Sequence, residues 1–404
     1  MGGRNASDAA SPTATRAYAE RSARKTPLAL AQTHAAPATD APSTLSRPPG
    51  HGGRSTVLPR VETGAGVARL VLAGKPRYEP VRPLGAGGQA EVTLARDHDI
   101  DRPIAVKRLL PEVVSDDAVL RFAEEIRTVG QLEHPNIVPI HDVGVDGDGR
   151  YYFVMKYVEG ETLEAVIAKL RDGDAAYLRK YTPEYRLQIC NEILRGVEHA
   201  HGLGILHRDL KPANIMIGSL GEVVIMDWGI ARRAGTVEQP GSLLGTPAYM
   251  APEQAAGRVD ALDARSDVYS LAITFYEFLA LRHPRGEHTT VPELIAAVVS
   301  DEISKSELFT DFTRAGAPAA YAHFVKHGLA HDPAQRYPSV TAMRERLDLV
   351  RDGKAPIECP ITFTQRILDG AARGANRHPI ALIGGYAIAG LALLGGVAAL
   401  LLRL

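Results

Sequence analysis

Three short blocks decide how this chain is read: His207-Arg-Asp-Leu-Lys-Pro-Ala-Asn214, Ile225-Met-Asp-Trp-Gly229 and Gly245-Thr-Pro-Ala-Tyr-Met-Ala-Pro-Glu253. The first holds a carboxylate, an ammonium and an amide within a few residues. Upstream, Leu84-Gly-Ala-Gly-Gly-Gln-Ala-Glu-Val92 lies between two predicted strands. Its glycines let main-chain amides approach an anion with no Cβ in the way. Further on, Ile104-Ala-Val-Lys107 sets a lysine in an apolar strand, where a lysine needs a reason. Glycine-rich turns and edge lysines are common, so these two blocks are weak singly.

Around the blocks the texture divides in two. Tyr78–Leu84, Gln89–Arg96 and Pro103–Leu109 read as short β-branched strands, and Ile137–Val145 and Tyr151–Tyr157 as two more joined by the turn Asp146-Gly-Asp-Gly149. Between the two sets, Val119, Phe122, Ile126 and Val129 recur at helical spacing. After Thr162 the pattern is mostly helical to about Val350, with one clear helix over Pro183–Gly202. Arg171–Tyr181, rich in charge and tyrosine, reads as a surface excursion before that helix.

In this order and spacing the blocks resemble the signature set of protein kinases. The resemblance covers about residues 76–350, two thirds of the chain. The paired glycines and the Ala-Pro-Glu-Gln ending at Gln254 are most similar to the bacterial Hanks-type (eukaryotic-like) serine/threonine branch. It implies an α+β, bilobal protein-kinase-like fold with a small β-rich N-lobe and a larger helical C-lobe. It also implies ATP and Mg²⁺ as cofactors and proteins as substrates.

Residue by residue, the resemblance assigns Leu84, Gly85, Ala86, Gly87, Gly88, Gln89, Ala90, Glu91 and Val92 to the phosphate-covering loop, with Ala90 where the family has its third glycine. Val92 and Ala105 would cover one face of adenine and Met216 the other. Met155, Tyr157 and Val158 match the hinge, whose main chain bonds adenine. Lys107 would pair with the α- and β-phosphates and with a helix glutamate, Glu125 by family position and Glu124 as the neighbouring alternative. Asp209 would orient the acceptor hydroxyl and take its proton, and Lys211 would neutralise charge on the transferred group. Asn214 and Asp227 would hold Mg²⁺. Little covalent work falls to the protein in this chemistry, so cations and positioning dominate.

The regulatory candidates follow from the same resemblance. Trp228 replaces the family's phenylalanine and would stack with Val129, Ile140 and His207 as a larger aromatic plug, or else bias the inactive state. Arg208 before Asp209 implies activation-loop phosphorylation. Thr236 and Ser242 are the hydroxyl candidates, while Thr246 is expected to contact the catalytic loop. Glu253 would pair with Arg336, and Asp267 would hold the catalytic loop. The competing expectation is a nucleotide-binding pseudokinase or scaffold, for which Ala90 and Trp228 are the only support.

Composition frames the rest. The chain has 404 residues, 45% of them hydrophobic and 23% charged, which excludes a wholly disordered or collagen-like chain. Cys190 and Cys359 make no disulfide framework or metal cluster and suit a reducing compartment. The net charge of −1 is a sum of +6 over residues 1–75, −10 over 76–350 and +3 over 351–404. No nucleic-acid partner is expected. Residues 1–75 contain no Ile, Phe or Trp and read as a disordered Ala/Ser/Pro/Arg-rich tail, with some order near Val67–Ala73. Residues 351–379 read as a juxtamembrane linker. Ile380–Leu402 runs 23 residues without a charge, about 35 Å as a helix, against a bilayer core of roughly 30 Å. Its glycines favour a transmembrane helix over a water-soluble one. Arg366, Arg373 and Arg377 before the span place the bulk of the chain on the cytoplasmic side of a bacterial membrane, as a single-pass protein. Only two residues follow the span, which leaves no expected room for an external sensor. A homodimer for trans-autophosphorylation is the expected use of such an anchor.

Overall fold

The computed structural model describes residues 60–64, 67–71, 76–87, 90–111, 115–233, 245–286 and 290–359. Within the expected tail, β1 (Arg60–Gly64) and β2 (Val67–Val71) pair as an antiparallel hairpin. The segment lacks the residues for a core. Main-chain pairing does not need one, and Val61, Thr63, Val67 and Val71 around Gly64 and Gly66 suit strands and a turn.

A five-stranded antiparallel sheet follows. It is built from β3 (Tyr78–Ala86), β4 (Ala90–Asp97), β5 (Arg102–Leu109), β6 (Ile140–Val145) and β7 (Tyr151–Lys156), in the order β3-β4-β5-β7-β6. Its register sorts the side chains. Val92 lies opposite Lys107, Lys107 opposite Phe153, and Ala105 opposite Met155. Directly opposed residues share a face, so these five line one side of the sheet. Ala95, Ile104, Val106, Tyr152 and Val154 form a small core on the other.

The helix α1 (Asp116–Val129) crosses the first face. Ser115 caps it, its Oγ accepting from the Ala118 N–H at 3.2 Å. Phe122 and Val129 are buried, and the Phe122 ring lies 5.3 Å from that of Phe153. Glu125, three residues after Phe122, shares that buried face, while Glu124 is on the exposed side.

The rest of the domain is mainly helical. After β8 (Gly160–Thr162) come α2 (Leu163–Arg171), α3 (Ala175–Lys180) and α4 (Pro183–Gly202). Short strands β9 (Ile205–Leu206), β10 (Ile215–Gly218), β11 (Val223–Ile225) and β12 (Arg232–Arg233) carry the chain past the catalytic blocks. Then follow α5 (Pro252–Ala255), α6 (Ala264–Ala280), α7 (Val291–Ser300), α8 (Lys305–Arg314), α9 (Ala319–Gly328) and α10 (Val340–Arg351). Nearly every side chain of α6 is buried, which makes it the central post of this lobe.

Residues 171–180 are mostly exposed, the surface excursion expected, but they are ordered. They form α3, capped by Asp174, and Tyr181 is 1% exposed. The Tyr181 ring sits between Tyr177 and Tyr185, each 5.7 Å away between centroids. The buried Arg186 donates from Nε to the Tyr181 carbonyl at 2.9 Å. An aromatic that large gains more from burial than a loop loses by being pinned down.

Among the described residues no helix is long and apolar enough to cross a membrane. The run Ile380–Leu402 and linker residues 360–379 lie outside the described residues, as do Gly88, Gln89, Thr236 and Ser242.

Candidate active site

The two lobes enclose a cleft of ≈ 750 Å³. The sheet supplies its roof: Leu84, Gly85, Gly87, Ala90, Val92, Ala105 and Lys107 line it, with Met155, Tyr157 and Val158 along the rear and Met216 below. Ala86 and Glu91, both expected in the phosphate loop, do not line it. They pair with each other across β3 and β4 and so alternate with Gly85 and Val92 onto the other face. Glu91 instead meets Arg150 at 3.4 Å and Arg108 at 3.6 Å. The Lys156 side chain reaches outward to within 4.0 Å of Glu222, which leaves the hinge main chain as its contribution.

On the roof, Lys107 Nζ donates to Glu125 Oε1 at 2.6 Å and to Asp227 Oδ1 at 3.0 Å. Burial works against the ammonium, but Glu125 and Asp227 outweigh it and hold its pKa above the ordinary lysine value. Burial would likewise raise Asp227, and Lys107 pulls it below the ordinary carboxylate value.

Asn214 and Asp227 also line the cleft. Next to Asn214, Lys211 Nζ donates to Asp209 Oδ2 at 2.7 Å and to Thr246 Oγ1 at 2.6 Å. The Thr246 N–H donates to Asp209 Oδ1 at 2.9 Å, so Thr246 ties the third block to the first. Asn214 Nδ2 donates to the Asp209 carbonyl at 2.9 Å and to its Oδ2 at 3.1 Å.

The loop bearing Asp209 is held from below. Buried Asp267 on α6 accepts the His207 N–H at 2.9 Å, the Arg208 N–H at 2.8 Å and His201 Nε2 at 2.7 Å. Arg208 has φ 70° and Asp227 φ 52°, left-handed conformations that cost non-glycine residues on the order of 1–3 kcal/mol each. The three bonds to Asp267 hold that strain at Arg208. Gly245 has φ 114°, and a Cβ there would stand 3.1 Å from the Arg208 carbonyl. Only glycine lets the third block lie this close to the catalytic loop.

Trp228 is fully buried, its ring 4.5 Å from that of His207. Val129 shares the same core, and Ile140 packs against it. Its Nε1 is buried without a hydrogen-bond partner among the described residues, a cost of about 1–3 kcal/mol that phenylalanine would not carry. The Lys107–Glu125 pair is closed with this bulk in place, so the tryptophan does not force the pair apart.

Residues 78–347 match the family described as "Protein kinase domain". The chain belongs to the protein kinase family. The kinase domain is similar to a probable serine/threonine-protein kinase of Streptomyces coelicolor, 36% identical over 75% of this chain and 43% of that protein. It is 37% identical to the serine/threonine-protein kinase PknB of Mycolicibacterium smegmatis, over 74% of this chain and 47% of the relative. With PknB of Mycobacterium tuberculosis the identity is 35%, over 71% and 45%. The chain thus spans less than half the length of these curated relatives.

Within the kinase domain, Phe153 and Glu161 also line the cleft and were not anticipated from the sequence. Phe153 was discoverable from the strand alternation that faces Lys107. Glu161 had no local signal beyond its place just after the hinge. Among the described residues no cluster of His, Cys, Asp and Glu forms a metal site by itself. Asp227 and Asn214 nevertheless fit one hard cation. The Asp227 carboxylate opens into the cleft, and the Asn214 amide uses its nitrogen on Asp209, which leaves its oxygen as a donor.

Proposed function

We propose that the chain is an ATP- and Mg²⁺-dependent serine/threonine protein kinase. One observation carries this reading. Lys107, closed onto Glu125 and Asp227, shares one cleft with Asn214, whose amide bonds the Asp209 that Lys211 holds. Asp209 orients the acceptor hydroxyl and takes its proton as the new O–P bond forms and the bond to ADP breaks. Lys211 presents its charge to the transferring group, and Lys107 holds the α- and β-phosphates. Asn214 and Asp227 would hold Mg²⁺, which supplies charge neutralisation on the phosphates when bound. Thr246 sets Asp209 and Lys211 relative to one another before any ligand arrives.

The full chain, incubated with Mg²⁺, radiolabelled ATP and a generic protein acceptor, tests this. Wild type should label itself or the acceptor at Ser or Thr, and Asp209→Asn should fall by about 100-fold or more. Equal labelling by the two sinks the kinase reading in favour of a nucleotide-binding scaffold. Mapping the sites in the same sample shows whether Thr236 or Ser242 is the activation-loop site, the role Arg208 beside the catalytic aspartate suggests.

The anchor belongs to the same proposal. The uncharged run Ile380–Leu402 behind Arg366, Arg373 and Arg377 supports a single-pass bacterial membrane protein with the kinase on the cytoplasmic side. Anchoring would raise local concentration and favour phosphorylation between two copies. The full chain should pellet with membranes in high salt, while a chain ending at residue 379 should not. Recovery of both in the soluble fraction removes the anchor.

A further inference from the structure

The segment Lys169–Tyr181 takes no part in the chemistry above, yet its side chains bond both Glu161 and Glu277. Lys169 Nζ donates to Glu161 Oε2 at 2.6 Å and to Tyr177 Oη at 2.6 Å, and the Tyr177 hydroxyl donates to Glu161 Oε1. Glu161 lines the nucleotide cleft. Two residues on, Arg171 points elsewhere, as residues at that helical spacing must. Its Nη2 donates to Glu277 Oε1 at 3.1 Å and its Nε to the Leu281 carbonyl at 3.1 Å.

Glu277 leads onward. Its other oxygen, Oε2, accepts the Tyr249 hydroxyl at 2.6 Å. Tyr249 stands three residues after Thr246, in the strip that touches Lys211 and Asp209 where an acceptor hydroxyl must approach. The His283 ring meets the Tyr249 ring edge-on, 5.4 Å between centroids. Burial first, and then the Glu277 charge, raise the Tyr249 phenol far above its ordinary value, so it remains a donor at every physiological pH. Glu277 sits on α6, the most buried helix, so its backbone is a fixed point.

A carboxylate with a partner on each oxygen is set in orientation, and one with a single partner turns about it. Arg171 therefore decides whether Glu277 can hold Tyr249 in one place. The Arg171 side chain is 50% exposed, and an ion pair so open contributes little to stability. Its effect belongs to placement.

We propose that Arg171 is a positioning residue for protein-substrate binding, acting through Glu277 on Tyr249. The kinetic part of this proposal rests on the kinase reading, and the structural part does not.

The test uses the full chain as wild type, Arg171→Met and Arg171→Lys. Amide hydrogen exchange over residues 245–250 should be several-fold faster in Arg171→Met, with partial recovery in Arg171→Lys, at an unchanged melting temperature. In the kinetic arm, KM for a protein acceptor should rise by about three- to tenfold, while kcat and KM for ATP stay put. Tyr177→Phe should do the reverse, moving KM for ATP and sparing that for the acceptor. Unchanged exchange over 245–250 overturns the proposal. So does a parallel decline of kcat, both KM values and melting temperature, which would mark a merely structural role. If wild type transfers no more phosphate than Asp209→Asn, the kinase reading fails and the exchange result alone decides the placement of Tyr249.

Discussion

Lys107 carries its charge where water can do little for it, and two carboxylates do the work of solvent. Replacing it with methionine keeps most of the stem and removes the charge. Burial and Asp227 would then both push the Glu125 carboxyl upward, with nothing opposing them. Lys107→Met is expected to lose phosphoryl transfer by about 100-fold or more and to melt lower than wild type. Initial rates and a melting curve on the same preparation check this; a variant that retains most of its rate means that the cleft is closed by something else. Thr246 belongs to the same scale. Its side chain and its N–H both serve the catalytic loop, so a hydroxyl in a loop rich in phosphorylation candidates is already occupied.

At the scale of elements, the helical lobe is pinned by one buried ion pair. Arg336 donates twice to Glu253, at 2.8 Å each, with side chains 0% and 2% exposed. It also donates to the carbonyls of Arg265, Ala330 and His331, so one side chain joins α5, α6 and the turn before α10. Arg336→Met would leave Glu253 buried and unpaired, a loss of about 3–5 kcal/mol. The double variant Arg336→Met, Glu253→Gln should recover part of that, and denaturant unfolding of both would show it. This pair was legible in the sequence, as were Glu125 with Lys107 and Asp267 under the catalytic loop. Each of these residues stands in or beside a motif whose chemistry admits few residue types. The bracket from Lys169 to Tyr181 was not legible. Its partners Glu161, Glu277 and Tyr249 are scattered through the chain, and no local period announces them. The hairpin Arg60–Val71 was legible only in part, as some order near Val67–Ala73: composition reports on cores, whereas a hairpin is joined through its main chain. The outward turn of Ala86 and Glu91 depends on register, which motif matching ignores.

At the scale of the molecule, the acidic body sets how stability follows pH. Burial would raise Asp267 and Glu253. His201 outweighs it at Asp267, and Arg336 does so at Glu253, so both carboxyls titrate below their ordinary values. Asp97 beside Arg77 and Glu198 beside Arg344 are lowered in the same way. The unfolded chain then binds more protons than the folded one at acid pH. The stability these groups contribute is complete above their unfolded values, near pH 4, and is lost as pH falls through the folded ones. The expected melting temperature shows no loss from them between about pH 7 and 5, and a steep decline below about pH 4. A melting series across that range checks the sign; a decline centred near pH 6 would point to histidines instead.

The Asp-Trp-Gly triplet has one more consequence. Trp228 is the chain's only tryptophan, and its ring is fully buried against His207 beside the residue assigned to the cation. Indole emission from this protein therefore comes from a single place. A blue, shielded signal means that the ring is seated, and a red-shifted one means that it has swung toward water. The bulky plug makes any movement of this ring readable in an unlabelled sample, with an intrinsic fluorophore already beside Asp227.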